Sequence, residues 1–378
     1  MSKLDELIKE LCPNGVEHKP LDYAFDILAG GDVPKEFFSE TRTNEFRIPI
    51  LSNGIEDKSL YGWTNKAKIE KPSITISARG TIGWTSYRDY PFYPIVRLLV
   101  LTPKVKMSLK YVYHFMKSIE NDYNVPKVGI PQLTKPMIQH IQIPLPPLPV
   151  QEEIARILDN FTELTAELTA ELTAELTARK KQYEYYKNKL FSEAEGIQAV
   201  TLDTIAENCD SQRKPVTSGS RENGDIPYYG ASGIVDYVKD YIYDGDYLLI
   251  SEDGANLIAR TTPIAFSVSG KIWVNNHAHV LRFDEYATRR YVEMYLNSID
   301  LTPYITGAAQ PKLNQKNLND IKIPLPQLPE QQRIVDILDR FDTLCNDIST
   351  GLPAEIEARQ KQYEYYREKL LTFKEKMS

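Results

Sequence analysis

Cysteine is scarce. Cys12, Cys209 and Cys345 are an odd number with no Cys-x-x-Cys spacing, so neither a disulfide framework nor a zinc ribbon can be read from them; buried, inert thiols are expected. Runs of about 18 apolar residues, the length needed to span a bilayer, are lacking. Met1 to Glu10 is charged and amphipathic and lacks the apolar core of a signal peptide. A cytoplasmic protein with no membrane association is expected. Gly-rich loops are missing too, since Gly30-Gly31 stands alone without the spacing of a phosphate or dinucleotide loop.

Positive charge is in deficit, with 45 Lys and Arg against 52 Asp and Glu and a net charge of -7. That balance sits awkwardly with a nucleic-acid binder, whose affinity comes largely from Lys and Arg on phosphates. Region by region, Lys plus Arg against Asp plus Glu is 19 to 16 for residues 1–142, 6 to 10 for 143–196, 12 to 16 for 197–322 and 8 to 10 for 323–378. Only the first region is net positive. Hydrophobic residues at 42% and charged residues at 26% are ordinary for a globular chain, and 378 residues suffice for two domains.

What is present is an internal repeat. Ile143-Pro-Leu-Pro-Pro-Leu-Pro-Val-Gln151 recurs as Ile323-Pro-Leu-Pro-Gln-Leu-Pro-Glu-Gln331, and Lys181-Gln-Tyr-Glu-Tyr-Tyr186 recurs as Lys361-Gln-Tyr-Glu-Tyr-Tyr366, both at a shift of 180 residues. A gapless match of this length marks a duplicated structural element. In each copy a proline-rich extended segment leads into a helix, because Pro suits the approach to a helix but not its interior. Apolar residues then follow the three-and-four spacing of a helix-pairing seam, with Ile154, Leu158, Phe161, Leu164 and Leu168 in one copy and Ile334, Leu338 and Phe341 in the other. Two long helices packed on one another are expected. The tyrosines Tyr183, Tyr186, Tyr363 and Tyr366 exceed what one seam can bury and are assigned to a partner surface.

Inside the first helix, Thr162-Glu-Leu is followed by three Thr-Ala-Glu-Leu units ending at Leu176. Each unit adds about 6 Å of rise and about 40° beyond a full turn, close to the roughly 34–36° of one base-pair step. It serves either as a ruler for the separation of two reading domains or as helix-favouring filler. The second copy has Ile348-Ser-Thr-Gly-Leu-Pro353 instead, where Gly351 and Pro353 should break the helix before it resumes at Ala354.

The intervening regions hold β-branched and aromatic runs such as Ile74-Thr-Ile-Ser-Ala78 and Tyr247-Leu-Leu-Ile-Ser251, punctuated by turn residues. They resemble one another: Ile48-Pro-Ile-Leu parallels Ile226-Pro-Tyr-Tyr, and Ile130-Pro-Gln-Leu133 parallels Gln310-Pro-Lys-Leu313. The reading is an α/β protein of four segments: a mixed domain at 1–142, a helix at 143–196, a second mixed domain at 197–322 and a helix at 323–378. Two copies of one domain-plus-helix unit form a pseudo-two-fold, circular arrangement with antiparallel helices and meeting chain ends.

The paired Ile-Pro-Leu-Pro-x-Leu-Pro-x-Gln segments, the Lys-Gln-Tyr-Glu-Tyr-Tyr endings and the Thr-Ala-Glu-Leu units together resemble the specificity subunits of type I restriction-modification enzymes, over the whole chain and in family order. The resemblance implies two target recognition domains, each reading one half of a split double-stranded DNA target. It also implies that the helices set the spacer and dock two methyltransferase subunits, through which restriction subunits join. It favours the ruler among the two readings of the repeat. No Asn/Asp-Pro-Pro-Tyr/Phe motif for a flipped adenine is present, so no catalytic site and no cofactor are expected in this chain, and S-adenosylmethionine is expected on the methyltransferase partner. His277-x-His279 could hold a metal, but it lacks companion ligands and is taken as a structural pair; no metal is expected. A coiled-coil adaptor that never reads DNA is the alternative.

Base readout needs Arg, Lys, Asn and Gln on loops that reach a groove. Residues near turn signals are the candidates: Ser52, Asn53, Arg79, Thr81, Trp84, Lys127 and Gln132 in the first domain, and Ser232, Asn256, Arg260, Lys271, Asn275, Gln310, Lys312 and Asn314 in the second. The competing readings are turn chemistry for Arg79 and Asn256, and core packing for Trp84.

Overall fold

The computed structural model describes residues 2–376 apart from 127–128, 195, 308–309 and 348. Among these, six helices of nine residues or more occur in chain order: α1 (Lys3–Leu11), α2 (Leu109–Ser118), α3 (Leu148–Ala194), α4 (Tyr286–Ser298), α5 (Leu328–Asn346) and α6 (Leu352–Leu371). The chain divides into two compact units, residues 1–171 with 356–378, and residues 172–355. The 47-residue α3 begins in the first and ends in the second.

In the first unit, β1 (His18–Pro20) pairs with β9 (Gln142–Pro144) at the foot of the domain. Between them lie β2 (Phe25–Ala29), β3 (Ile48–Leu51), β4 (Leu60–Thr64), β5 (Ser73–Ile76), β6 (Thr85–Arg88), β7 (Tyr93–Pro94) and β8 (Leu99–Pro103). They form an antiparallel sheet in the order β2-β8-β5-β6 and a small sheet β4-β3-β7 in which β3 and β7 run parallel. Every side chain of β5 is buried. Ile74, Ile76, Leu99 and Leu101 join Tyr111 and Val112 of α2, Ile154 and Leu158 of α3, and Leu371 of α6 in one core.

In the second unit, β10 (Ala199–Thr201) pairs with β17 (Lys322–Pro324). A six-stranded sheet β11-β16-β14-β15-β12-β13 is built from β11 (Glu207–Asn208), β12 (Asn223–Gly230), β13 (Gly233–Val238), β14 (Tyr243–Ser251), β15 (Ala265–Val274) and β16 (Ala278–Arg282). The single strand β15 matches β6 through β7 at the 180-residue shift. The first domain breaks that strand at Asp89-Tyr-Pro91, where Pro91 has no N–H for a ladder, and so has two sheets where the second has one.

The mixed fold and the two-fold repeat agree with expectation, and the structure carries the repeat further. Tyr111 donates to the Pro144 carbonyl at 3.0 Å, and Tyr291 to that of Pro324 at 2.7 Å. The Gln151 and Gln331 amides donate to Pro146 and Pro326, each at 2.7 Å. All four pairs are related by 180 residues. The chain ends meet: the Val16 amide donates to the Lys374 carbonyl at 2.9 Å, and the Lys376 amide to that of Val16 at 3.0 Å.

The helices are antiparallel within each unit, but their contacts differ from the expected stripe-on-stripe pairing. Phe161 stacks on Tyr366 with centroids 6.0 Å apart, and Phe341 stacks on Tyr186 at 5.8 Å. The start of each helical copy thus meets the end of the other. Ile154 and Leu158 are buried in the first domain's core, Ile334 and Leu338 in the second's. Leu164 is 60% exposed, Leu168 half-buried and Leu172 buried. A four-residue repeat drifts about 40° per unit around a helix of 3.6 residues per turn, so successive leucines cannot keep to one line. The second helical copy stops at Asn346 and restarts at Leu352 rather than Ala354. Asp347 accepts from the Ser349 and Thr350 hydroxyls at 2.6 Å each, and Pro353 is accommodated in the first turn. Ile348, which opens the expected break, lies outside the described residues. All three cysteines are buried and unpaired.

Candidate nucleic-acid interface

At one end of the first domain, four loops are tied into a corner. The Asn53 side-chain oxygen accepts from the Ala78 amide at 2.6 Å, and its NH2 donates to the Val96 carbonyl at 2.7 Å. The Leu133 amide reaches the Ala78 carbonyl at 2.9 Å, and the Arg79 guanidinium donates twice to the Gln132 side-chain oxygen, at 3.0 and 2.6 Å. Of the predicted residues, Ser52, Asn53, Arg79 and Gln132 come together here. Thr81 and Trp84 lie on the next turn, where the Thr81 hydroxyl and the Trp84 indole N–H are buried without partners among the described residues. The Lys117 ammonium sits 3.5 Å above the Trp84 ring centroid, a packed position that fits core chemistry better than readout. Lys127 lies outside the described residues.

The turn entering β8 completes this corner. Val96 and Arg97 have φ of 51° and 64°, two successive left-handed residues of which one is β-branched, at a cost of about 1–3 kcal/mol each. The Val96 amide donates to the Gly31 carbonyl at 2.8 Å and the Arg97 amide to that of Gly30 at 3.0 Å. Gly30 is obligatory in this packing, since a Cβ there would lie 2.7 Å from the Ile95 carbonyl oxygen. The lone Gly30-Gly31 of the sequence thus has a structural use.

The second domain builds the same corner from other side chains. The Leu313 amide reaches the Glu252 carbonyl at 2.7 Å, the counterpart of Leu133 on Ala78. The Asn275 amide donates to Tyr229, as that of Ile95 does to Leu51. Here charges replace amides. Arg213 bridges Glu252 at 2.5 Å and Asp210 at 3.3 Å, and Lys312 reaches Glu252 at 3.0 Å. The buried His279 ring lies between Asp210, 2.5 Å from Nδ1, and the Leu313 carbonyl, 2.7 Å from Nε2. Burial pushes the Asp210 and Glu252 carboxyls up, but hydrogen bonds from His279 to one and from Arg213 and Lys312 to the other hold both below their ordinary values. Asp210, Glu252 and His279 bring three ligand atoms within 4.8 Å, yet all are engaged by protein groups, and the cluster reads as an ion network that fastens the corner. His277 binds the Asp253 carboxylate at 2.8 Å. The two histidines therefore face separate carboxylates.

Among the predicted residues of this domain, Asn275 and Lys312 line the corner, with Ser232 exposed in the turn between β12 and β13 and Gln310 exposed on the segment that carries Lys312. Asn314 caps the turn at Gln315–Asn319. Asn256 accepts from the Thr261 hydroxyl at 2.9 Å and the Thr262 amide at 3.1 Å, which is turn chemistry. Arg260 donates to the carbonyls of Leu296 and Ile299 at 3.3 and 3.0 Å, which caps α4. Lys271 lies within β15 with its ammonium 4.6 Å from the Tyr241 ring centroid. The sequence reading missed Arg97 and Arg213. Val100-Leu101 recurring as Val280-Leu281, and Lys110-Tyr-Val112 as Arg290-Tyr-Val292, would have aligned the corners and exposed Arg97 opposite His277.

On the helices, Tyr183 and Tyr186 pack on Phe341, Tyr366 stacks on Phe161, and the Tyr363 and Thr162 hydroxyls are 3.0 Å apart. The four tyrosines assigned to a partner surface thus make helix-to-helix contacts, because residues three apart share a helix face. Tyr185 and Tyr365, again 180 apart, are 62% and 60% exposed.

The model for the type I restriction modification DNA specificity domain matches residues 13–178 and again 194–358. The chain belongs to the type I specificity family. This specificity subunit is 32% identical over 362 residues to the Escherichia coli type I restriction enzyme EcoR124I/EcoR124II specificity subunit, covering 87% of each chain. Its fold matches that of a Mycoplasma genitalium type I restriction-modification S subunit, at 19% identity and a TM-score of 0.53 over 94% of this chain and 96% of that one. A chain from a structure describing complex assembly of the type I R-M system matches at 13% identity and a TM-score of 0.62, over 95% and 98%. No helix among the described residues is long and apolar enough to cross a membrane.

Proposed function

We propose that each recognition domain of this specificity subunit reads one half of a bipartite double-stranded DNA target, and that the helices hold the spacer and dock two methyltransferase subunits. The observation that carries this reading is the corner built twice, with donor amides 180 residues apart on carbonyls at equivalent turns and unlike side chains on the shared framework. One scaffold presenting two chemistries is what two different half-sites require. Restriction subunits join through the methyltransferases. The subunit itself is a non-catalytic scaffold, with S-adenosylmethionine held by its methyltransferase partner. Tyr185 and Tyr365, exposed at matched places, suit the docking of two copies of one partner.

The deficit of positive charge predicts weak DNA affinity for the isolated chain at physiological salt, since partners must supply much of the phosphate contact. The test is methylome sequencing of a host without type I systems that expresses this chain with its methyltransferase, against the methyltransferase alone. A split motif that appears only with this chain supports the reading. Unchanged methylation with intact co-purification would leave an assembly scaffold that reads no DNA.

A further inference from the structure

We propose that Arg97 reads a guanine edge in the half-site of the first domain, an inference that rests on the DNA-reading role above. Four observations converge on this residue. Arg97 and Val96 hold left-handed backbone whose amides and carbonyl are tied into the corner, while the Arg97 side chain is left exposed. Arg260 is the instructive contrast: it is also left-handed, at φ 51°, but its guanidinium caps two carbonyls of the fold. The exposed Arg97 guanidinium has no hydrogen bond, ion pair or ring contact among the described residues.

The turn is also rigid. Bonds from Val96 and Arg97 to Gly31 and Gly30, from Asn53 to Val96, and from Ile95 to Leu51 fix its backbone from two segments. A fixed backbone lowers the ordering cost of placing a fork of donors against a base. Arginine offers that fork to guanine O6 and N7. The neighbouring polar groups are committed elsewhere: Asn53 holds two backbone groups, and Arg79 holds Gln132.

Finally, the place at which Arg97 stands recurs. Its counterpart at the 180-residue shift is His277, half-exposed and bound to Asp253. The same position thus carries a free arginine in one domain and an acid-tethered imidazole in the other, a difference aimed at two unequal half-sites.

The test uses the complex of this chain with its methyltransferase, as wild type, Arg97→Gly and Arg97→Lys. Glycine keeps the left-handed backbone and removes only the side chain. Binding is measured on the cognate duplex and on duplexes with each guanine of both halves replaced in turn by 7-deazaguanine, which lacks the N7 acceptor. The wild-type complex should lose about 5- to 100-fold at one guanine of one half. Arg97→Gly should bind the cognate duplex about that much more weakly and ignore the substitution there, while discriminating fully at every other guanine. Arg97→Lys should regain part of the affinity without the full N7 sensitivity. Arg97 would be a phosphate contact, and the assignment overturned, if Arg97→Gly weakened all duplexes alike and kept its sensitivity at every guanine. Unchanged binding, or a half-site pair without guanine, overturns it as well. A wild-type complex with no sequence preference would fail the DNA-reading role itself, a result distinct from every outcome that concerns Arg97 alone.

Discussion

The two recognition domains share a backbone and differ in how charge is arranged where each meets its helices and at its reading corner. In the second unit Arg290 is largely buried and answers three acids, Glu293, Asp339 at 2.7 Å and Asp342 at 3.1 Å. Burial alone would pull its guanidinium down, but the three carboxylates hold it well above its ordinary value. The matched Lys110 of the first unit is 51% exposed and, among the described residues, pairs with Asp159, which it shares with His114. One joint is an ion cluster around a largely buried arginine and the other a surface pair. The lesson is that duplication preserved the geometry of the joint while its energetics drifted.

The sharpest way to break the comparison is Arg290→Ala. It leaves the buried Glu293 and the half-exposed Asp339 and Asp342 without their shared cation, and an unpaired charge at the buried Glu293 costs about 3 kcal/mol. Hydrogen exchange should show faster opening of residues 172–355, with little change in the first unit. Equal loosening of both units would mean that they unfold as one body.

Next come Tyr111→Phe and Tyr291→Phe, which remove the same buried hydrogen bond from each unit and orphan the carbonyls of Pro144 and Pro324. Each should cost about 1–3 kcal/mol, and by nearly equal amounts. Unequal losses, read from denaturant midpoints of the separate exchange-resolved units, would show that the matched geometry hides different packing.

Acid should separate the reading corners by a smaller margin. Asp210 and Glu252 have folded values below their ordinary 3.8 and 4.5. Their contribution is therefore full above those values and is lost as pH falls through about 4 and below. The Val280 amide, which donates to Asp210 at 2.8 Å, should keep its exchange protection from pH 6 down to about pH 4 and lose it as pH falls below that. The Ala78 amide, which donates to the Asn53 amide oxygen, has no titrating partner and should keep its protection once intrinsic rates are corrected. Parallel loss at both would move the acid sensitivity to the helices instead.

Much of this was legible in the sequence because the repeat is gapless where backbone groups need fixed partners. Gln151 and Gln331 each donate to a carbonyl of a proline-rich turn, at Pro146 and Pro326, and the motif around them recurs with changes only at Pro147/Gln327 and Val150/Glu330. The corners were harder to read, since their equivalence lies in backbone amides that any residue supplies. Ala78 and Glu252 accept the same bond with nothing in common but a carbonyl. Turn signals led to Asn256 and Arg260, which turned out to hold the fold, and passed over Arg97, whose left-handed backbone no residue type announced. The tyrosines were hard to read for a different reason: counting aromatics gives their number on a helix but not which of them share the face toward the other helix, and Tyr186 and Tyr366 stack on Phe341 and Phe161 while remaining partly exposed.

The smallest effect belongs to Lys110→Ala, and its smallness sharpens the comparison with Arg290. A half-exposed ammonium on a single carboxylate is screened by water and contributes about 0–1 kcal/mol. His114 stays 2.8 Å from Asp159 after the change, so the carboxylate keeps a partner. Burial pulls the His114 ring below its ordinary value more strongly than Asp159 and its charge raise it. Removing the nearby Lys110 charge takes away one of the influences that lower it, so the His114 midpoint should rise, as read by NMR titration in Lys110→Ala. Because burial holds the ring below its ordinary value, protonation costs stability as pH falls, and Lys110→Ala should shrink that acid penalty. If Lys110→Ala instead matched Arg290→Ala in the unfolding experiment, the first joint would be as desolvated as the second, and the two units would differ in residue type alone.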